Sequence, residues 1–578
     1  MLRALVLVVI ALVVVGAATV FYLGPSRLFE VSQPDAFSED GSPPAEPPAA
    51  APAAPAQAAQ EPLFDNLGNL TWPVSTSSKL AQDYFDQGMR WTYAFNHSGA
   101  RRAFQEAQRQ DPDCAMCYWG EAYVLGPNIN APMEANDNEP ALAAIEKAKQ
   151  AASNASPRER AIIEALSLRH SADPKADRAA LNKQYAEAIT KAHKAYPEDQ
   201  NLAVLYVDAV MNTTAWDYWE ADGLTPKGEV GNAIAAAEKV LAANPDHAGA
   251  IHLYIHLTEA SKAPERALPY AERLAGLMPG AGHLVHMGAH TFYRIGRFQD
   301  SIEVNKKAVD ADDAYFAKID DDSSAWRQGY HVHNIHFVVM SALMAGDGDT
   351  ALEYVTRLQD AVSGDVARRI GWVQLIKQAP YFVNAHFSDP DTVLAIEDPG
   401  EEFPFVKSMW HYARGVAYAR SNRIAEAQAE AAKIAELEQR GDMTYPEDIQ
   451  AVAPGILKIA QRVIEGRIAE AQGNWQEAVQ AYARAVEVQD ALPYLEPPYW
   501  YYPVRQSLGA ALLRAGDAEG ARKVFEQSLE RSPNNAWALF GLMRAQQALG
   551  DEAAAAETQK RFAAAWSGDP ASLDLSQL

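Results

Sequence analysis

Residues 520–551, GARKVFEQSLERSPNNAWALFGLMRAQQALGD, decide how this chain folds. The first half is an amphipathic helix that begins near alanine and closes at Ser-Pro, where proline ends a helix by lacking an amide donor. The second half is another apolar helix with a small residue in its middle and glycine near its end. The shape recurs outward from here. ARRAFQEAQRQDPD (100–113), NAIAAAEKVLAANPDH (232–247), RALPYAERLAGLMPGA (266–281) and EAVQAYARAVEVQD (477–490) repeat the first half, and SLGAALLRAGDAEGA (507–521) repeats the second. A helix–turn–helix unit of about 34 residues is therefore repeated along the chain. Alternating strand patterns and Asn-Gly hairpins are absent, so the expected class is all-α.

The period resembles that of tetratricopeptide repeats. One helix pair cannot bury its apolar face alone, so neighbours stack into a solenoid with a concave groove. A length of 578 residues suits such an array better than one core. The expected organisation is a histidine-rich array over 75–345 and a second array over 346–570. Long connections at 213–229, 312–330, 380–404 and 487–503 interrupt it, and insertions of this kind often carry binding residues. The last is rich in Tyr and Trp and reads either as packing across a repeat junction or as a stacking rim.

The N-terminus has a different character. Arg3 precedes Ala4–Gly24, an uncharged run long enough as a helix to span a bilayer of roughly 30 Å. Residues 1–30 are expected to be a single-pass anchor in the inner membrane with the bulk of the chain periplasmic. The alternative is a cleaved signal and a secreted chain. Residues 31–70 follow as a Pro/Ala-rich linker. The net charge of −25 excludes a nucleic-acid partner, because phosphate binding needs a basic surface.

Nine of the fourteen histidines lie between 247 and 336. GAIHLYIHLTEAS (249–261) carries His252 and His256, GHLVHMGAHTFYRIG (282–296) carries His283, His286 and His290, and YHVHNIHFVVMSALMAG (330–346) carries His333 and His336. Spacings of three, four and seven put each set on one helix face. Aligning the repeats on Gly296, Ala267 and Ala351 places these histidines at matching positions of three consecutive first helices, the positions that face the groove. Glu259 and Tyr293 fall on or beside the same face, and Tyr330 precedes the third set. Neutral imidazole is the commonest protein metal ligand, and three or four nitrogen and oxygen ligands make a transition-metal site. His252, His256, Glu259, His283, His286, His290, His333 and His336 are the candidate ligands, for zinc, copper or iron. Met340 would favour copper(I), and Tyr293 and Tyr330 are candidate binding residues. The competing readings are a polar groove for a peptide or anion and a purely structural histidine network.

The blocks FNHSGARRAFQEA (95–107), DPDCAMCYWGEAYVLGPNIN (111–130), HLYIHLTEASKAPERALPYAERL (252–274), GHLVHMGAHTFYRIGRFQDSIEVN (282–305) and YHVHNIHF (330–337) resemble a widespread bacterial class of tetratricopeptide-repeat proteins in which such helices recur together. The resemblance covers about 75–345 and implies an extracytoplasmic helical-repeat protein. It carries no activity onto these residues.

Cys114 and Cys117 are the only cysteines. At this spacing they read as a local disulfide in an oxidising compartment, or as a thiol pair. No P-loop, nucleophile elbow or dinucleotide fingerprint is present. Three functions compete: a membrane-anchored scaffold binding a protein or peptide in its groove, a metal-handling protein, and a metalloenzyme. The reading adopted is a scaffold with a histidine-lined groove that takes a metal.

Overall fold

Phe525, on the helix Ala518–Arg531, shows how the helix pairs lock together. A Cβ added to Gly509 would meet its ring at 2.6 Å, and one added to Gly541 would meet it at 2.1 Å. The small residue in the middle of each first helix therefore admits an aromatic ring from the second. Gly88 and Gly120 hold Phe104 in the same way, each with 2.5 Å to the ring. The turns are built from caps. The side chain of Asn535 accepts from the amides of Trp537 and Ala538, and that of Asp551 accepts from Ala554. These bonds satisfy donors left free at a helix start.

The computed structural model describes residues 61–173, 175–320, 324–439 and 449–578. Among these residues the regular structure is helical, with one isolated bridge between Trp219 and Pro226. Helix pairs run from Lys79–Tyr93 with His97–Gln110 through to Val332–Ala345 with Gly348–Ala361. Short helices between Gly364 and Leu394 interrupt the series. Pairs resume at Pro404–Arg420 and end at Ala536–Ala548 with Glu552–Ala565.

The array folds back on itself. Trp537 Nε1 donates to the carbonyl of Leu343 at 2.9 Å, and the amide of Ser567 donates to Ala345 at 2.9 Å. One apolar core runs from Leu67 to Ala511, so the boundary drawn at 345/346 is not a break in packing.

The linker expectation is corrected at its C-terminal end. Residues 61–70 are packed on the array: Tyr84 donates to the carbonyl of Glu61 at 2.9 Å, the amide of Gly280 donates to Asn66 at 2.9 Å, and Leu67 is fully buried. The rest of that linker and the anchor expected over 1–30 lie outside the described residues. Among the described residues no helix is long and apolar enough to cross a membrane.

The concave side of the histidine repeats is occupied by the chain itself. Phe95, Trp216, Tyr330 and Tyr494, all from turns or insertions, reach the histidine helices. The groove expected from repeat geometry is in this region an interior.

Candidate metal centre

Three consecutive first helices, Ala248–Glu259, Gly282–Arg294 and Val332–Ala345, bring the histidines together. The first begins at His247, whose Nδ1 accepts from the amide of Ala250 at 3.2 Å; His247 is a capping residue. The second can lie close to its neighbour because a Cβ on Gly288 would sit 2.8 Å from the carbonyl of Ala271. The third is preceded by a wide π-helical turn, Trp326–His331.

Two groups of three histidines form. In one, His252, His256 and His283 each place a ring nitrogen within 4.8 Å of the others; in the second, His286, His290 and His333 do the same. Nitrogens held about 2.0–2.1 Å from one ion stand at most about 4.2 Å apart, so small ring rotations close either group on a metal. His252, His256, His283, His286 and His290 are between 0% and 3% exposed, and His333 is half-buried. His286 and His290, expected on a groove face, are therefore buried.

Hydrogen bonds fix the tautomers. Nδ1 of His252 stands 2.6 Å from the carbonyl of Tyr93, which can only accept, so this nitrogen carries the hydrogen. Nδ1 of His256 donates to Glu259 Oε1 at 2.6 Å. Nδ1 of His286 donates to Asn305 Oδ1 at 2.6 Å; the amide of Asn305 donates in turn to Ser301. Nδ1 of His290 lies 2.6 Å from Glu259 Oε2. His252, His256 and His286 thus keep a lone pair on Nε2, while Nδ1 of His290 has no hydrogen-bond partner. Nε2 of His252, Nε2 of His256 and both ring nitrogens of His283 are buried without a hydrogen-bond partner. An imidazole anchored through one nitrogen and open at the other is the arrangement metal-bound histidines adopt.

Nε2 of His286 faces Nε2 of His290 at 2.9 Å. This contact requires a hydrogen on one of the two nitrogens or a metal ion between them.

Glu259 joins the two groups, with one carboxylate oxygen to each histidine. At 2.6 Å from both nitrogens it is too close to share an ion with them at ordinary bond lengths and angles. It accepts the hydrogen of His256 Nδ1 and stands against Nδ1 of His290, and with these two histidines it forms a further group of possible ligands within 4.8 Å of one another. Burial pushes its pKa up, but the charge of His290 and the bonds from His256 and His290 outweigh this, and it is held well below the carboxylate range. Burial pushes the imidazoles of His252, His283, His286 and His333 well below their usual pKa, and that of His256 below it. All five stay neutral, the form that binds a metal.

The wall is aromatic. Phe95 lies 4.4 Å from His252 between ring centroids, Tyr330 4.4 Å from His283, and Trp216 5.1 Å from His256. Phe337 lies 4.7, 4.9 and 5.0 Å from His286, His290 and His333. Phe95 and Trp216 have φ of 59° and 65°, a left-handed backbone that bulky residues rarely adopt. Strain of this kind concentrates at functional sites.

Two expected residues stand apart. His336 turns away, with Nε2 2.7 Å from the hydroxyl of Tyr501, and Met340 is fully buried in the apolar core. Tyr293 packs on Phe298 and Phe337 and lines a cleft of about 210 Å³, open to solvent, with Tyr494 and Glu496. The Tyr494 hydroxyl stands 3.3 Å from Glu259 Oε2 and 3.1 Å from Glu496 Oε2, so this cleft adjoins the site. Burial, against the pull of Arg294, pushes Glu496 up to about 7. Asn305, Phe95, Phe337 and Tyr494 were not picked out from the sequence. Asn305 ends the quoted block 282–305 and Tyr494 lies in the aromatic insertion, but neither spacing points at a histidine. Away from the site, Cys114 and Cys117 are joined in a disulfide, and Cys114 caps the helix Ala115–Val124.

Residues 512–564 match the tetratricopeptide repeat family. No curated protein matches the chain in sequence. Among solved structures it is similar to the human IFIT1 dimer with m7Gppp-AAAA, at 12% identity and a TM-score of 0.30, covering 85% of this chain and 90% of that one. It is similar to yeast Tom70 at 10% identity and 0.27, covering 83% and 89%, and to the P58(IPK) TPR domain at 13% and 0.21, covering 82% and 98%. The repeat assignment rests on the helix pairs themselves and on the match over 512–564.

Proposed function

We propose that this chain is a helical-repeat scaffold whose interior holds a transition-metal centre of two adjacent sites, His252/His256/His283 and His286/His290/His333, for zinc, copper or iron. The observation that carries the reading is the pair of Nε2 atoms of His286 and His290, facing each other at 2.9 Å with their Nδ1 atoms against oxygens. A metal ion or a ring hydrogen lies between them, and further unpartnered imidazole nitrogens stand beside them. Glu259, Asn305 and the Tyr93 carbonyl orient the ligands. Metal analysis of the full chain purified without a histidine tag tests the proposal. About two transition-metal ions per chain are expected, and a metal-free protein that binds none on addition sinks it.

The repeat match over 512–564 supports a second role, binding a protein or peptide partner on the array, as helical repeats commonly do. Because turns and insertions fill the concave side at the histidine repeats, such a partner would dock elsewhere. The apolar run Ala4–Gly24 supports an extracytoplasmic chain tethered to the inner membrane.

A further inference from the structure

We propose that the helix pairs between Ala453 and Ala565 form a peptide groove, that the chain's own residues 573–578 fill it in this structure, and that it receives a partner segment of the same chemistry, Leu-Asp-Leu-x-x-Leu. This rests on the partner-binding reading above and adds the surface, the class of peptide and the contact that occludes the surface.

Placement comes first. After Trp566 the chain turns back across its own repeats, with the amide of Ser567 on the carbonyl of Ala345. What it then meets comes from three consecutive first helices. Arg467 lies on Ala453–Ala471 and Arg514 on Arg505–Arg514, and both bond to the segment. Trp537 and Leu542 lie on Ala536–Ala548 and share an apolar cluster with Leu578. A surface that spans successive repeats in this way is the kind on which helical arrays bind extended ligands.

The manner of holding comes second. Leu578 is fully buried, Leu573 and Leu575 are half-buried, and Asp574 and Ser576 between them are exposed. Leu573 and Leu575 pack against the cluster that takes Leu578. Arg467 donates to the backbone oxygens of Ser576 and Leu578 at 3.0 and 2.5 Å. Pockets for separated side chains, with bonds to the main chain between them, are how a bound peptide is held. The only regular structure after Ala565 is two three-residue turns, and a segment with few buried contacts opens at low cost.

Charge and unused bonds come third. In a chain of net charge −25, Arg467 and Arg514 make this strip locally positive, and Arg514 pairs with Asp574 at 3.1 Å. An acidic peptide is therefore favoured. Asp574 and Gln577 cap the turn Leu575–Gln577 reciprocally, so a free segment of this sequence carries part of its bound shape. Beside the cluster, Nε2 of His386 and Oε1 of Gln546 are buried without a hydrogen-bond partner, and the His386 ring lies 5.5 Å from that of Trp537. The resident segment leaves these bonds untaken.

The experiment uses the full chain and a fluorophore-labelled peptide of residues 569–578, read by fluorescence anisotropy. The tethered copy competes at an effective concentration on the order of millimolar, so the unaltered chain should bind the peptide weakly. Leu575→Asp with Leu578→Asp should open the groove and tighten binding at least about tenfold. Adding Arg467→Gln to that opened chain, or Leu578→Asp to the peptide, should remove the gain. Circular dichroism checks folding. A folded, opened chain that binds the peptide no better than the unaltered one overturns the inference. If the double variant does not fold, hydrogen exchange on the unaltered chain decides. Excess peptide should then speed exchange at the amides of 574–578 while Ala453–Ala471 stays protected, and no change overturns the inference. A panel of unrelated peptides separates this from the wider reading. Binders insensitive to Arg467→Gln, with the segment peptide unbound, overturn the groove and keep a partner surface elsewhere on the array. A folded chain that binds no peptide at all removes both.

Discussion

Nε2 of His286 stands 2.9 Å from Nε2 of His290, one helical turn along, while the Nδ1 atoms of the two rings lie 2.6 Å from Asn305 and Glu259. The His286 ring spends its hydrogen on Asn305, so its Nε2 meets the second ring as an acceptor. A metal held by both rings would take the place of the hydrogen in this contact.

His286→Gln with His290→Gln should therefore abolish binding in the second group while helix content stays as it is. Both positions are buried, so a stability loss of about 1–3 kcal/mol is expected. Metal analysis beside thermal denaturation separates the two effects. Unchanged metal content would show that these rings are packing residues.

Glu259→Gln keeps the shape and removes the charge that orients His256 and His290. Affinity for metal should fall about 10–100-fold, read by competition with a chelator. Full affinity in this variant would mean the carboxylate only packs.

Acid should destabilise the metal-free protein. Burial, the largest cause in each case, lowers His170 and His336 to about 3, with Arg169 and Arg178 adding to it at His170. The unfolded chain titrates near 6.5, so between about pH 6.5 and 3 it binds protons that the folded chain does not. Stability is therefore present above about 6.5 and is lost as the pH falls toward 3. Denaturant melts at several pH values check the sign, and a flat profile over that window would contradict the burial of these rings.

A reporter fused after residue 62 should be active only outside the cytoplasm if Ala4–Gly24 directs export. Activity inside the cytoplasm would remove the tethered, extracytoplasmic placement.

Much of the helical architecture is legible in the sequence, because each repeat writes its own pattern. The apolar stripe that ends in Phe525 and the small residues Gly509 and Gly541 are local signals of the lock they form. The six clustered histidines are legible for the same reason, since equivalent positions on stacked helices converge. His336 shows where register stops being enough. It is spaced correctly, yet Tyr501, from an insertion far along the chain, holds it away. The filling of the groove is not legible at all. It depends on long-range contacts of Phe95, Trp216 and Tyr494 that no periodicity encodes, and so the histidines read as a rim when they are an interior. The packing of residues 61–70 is hidden likewise, because the Pro/Ala-rich composition before them gives no sign of where the chain begins to pack.

The most direct test is anomalous diffraction from crystals of the tag-free full chain, recorded at the absorption edges of zinc, copper and iron. The account predicts two peaks, one about 2.0–2.1 Å from ring nitrogens of His252, His256 and His283 and one at that distance from those of His286, His290 and His333. Glu259 should remain outside ligand distance of both. A structure without anomalous density in the cage, in a protein never exposed to chelator, would contradict the metal centre and leave a ring hydrogen between His286 and His290.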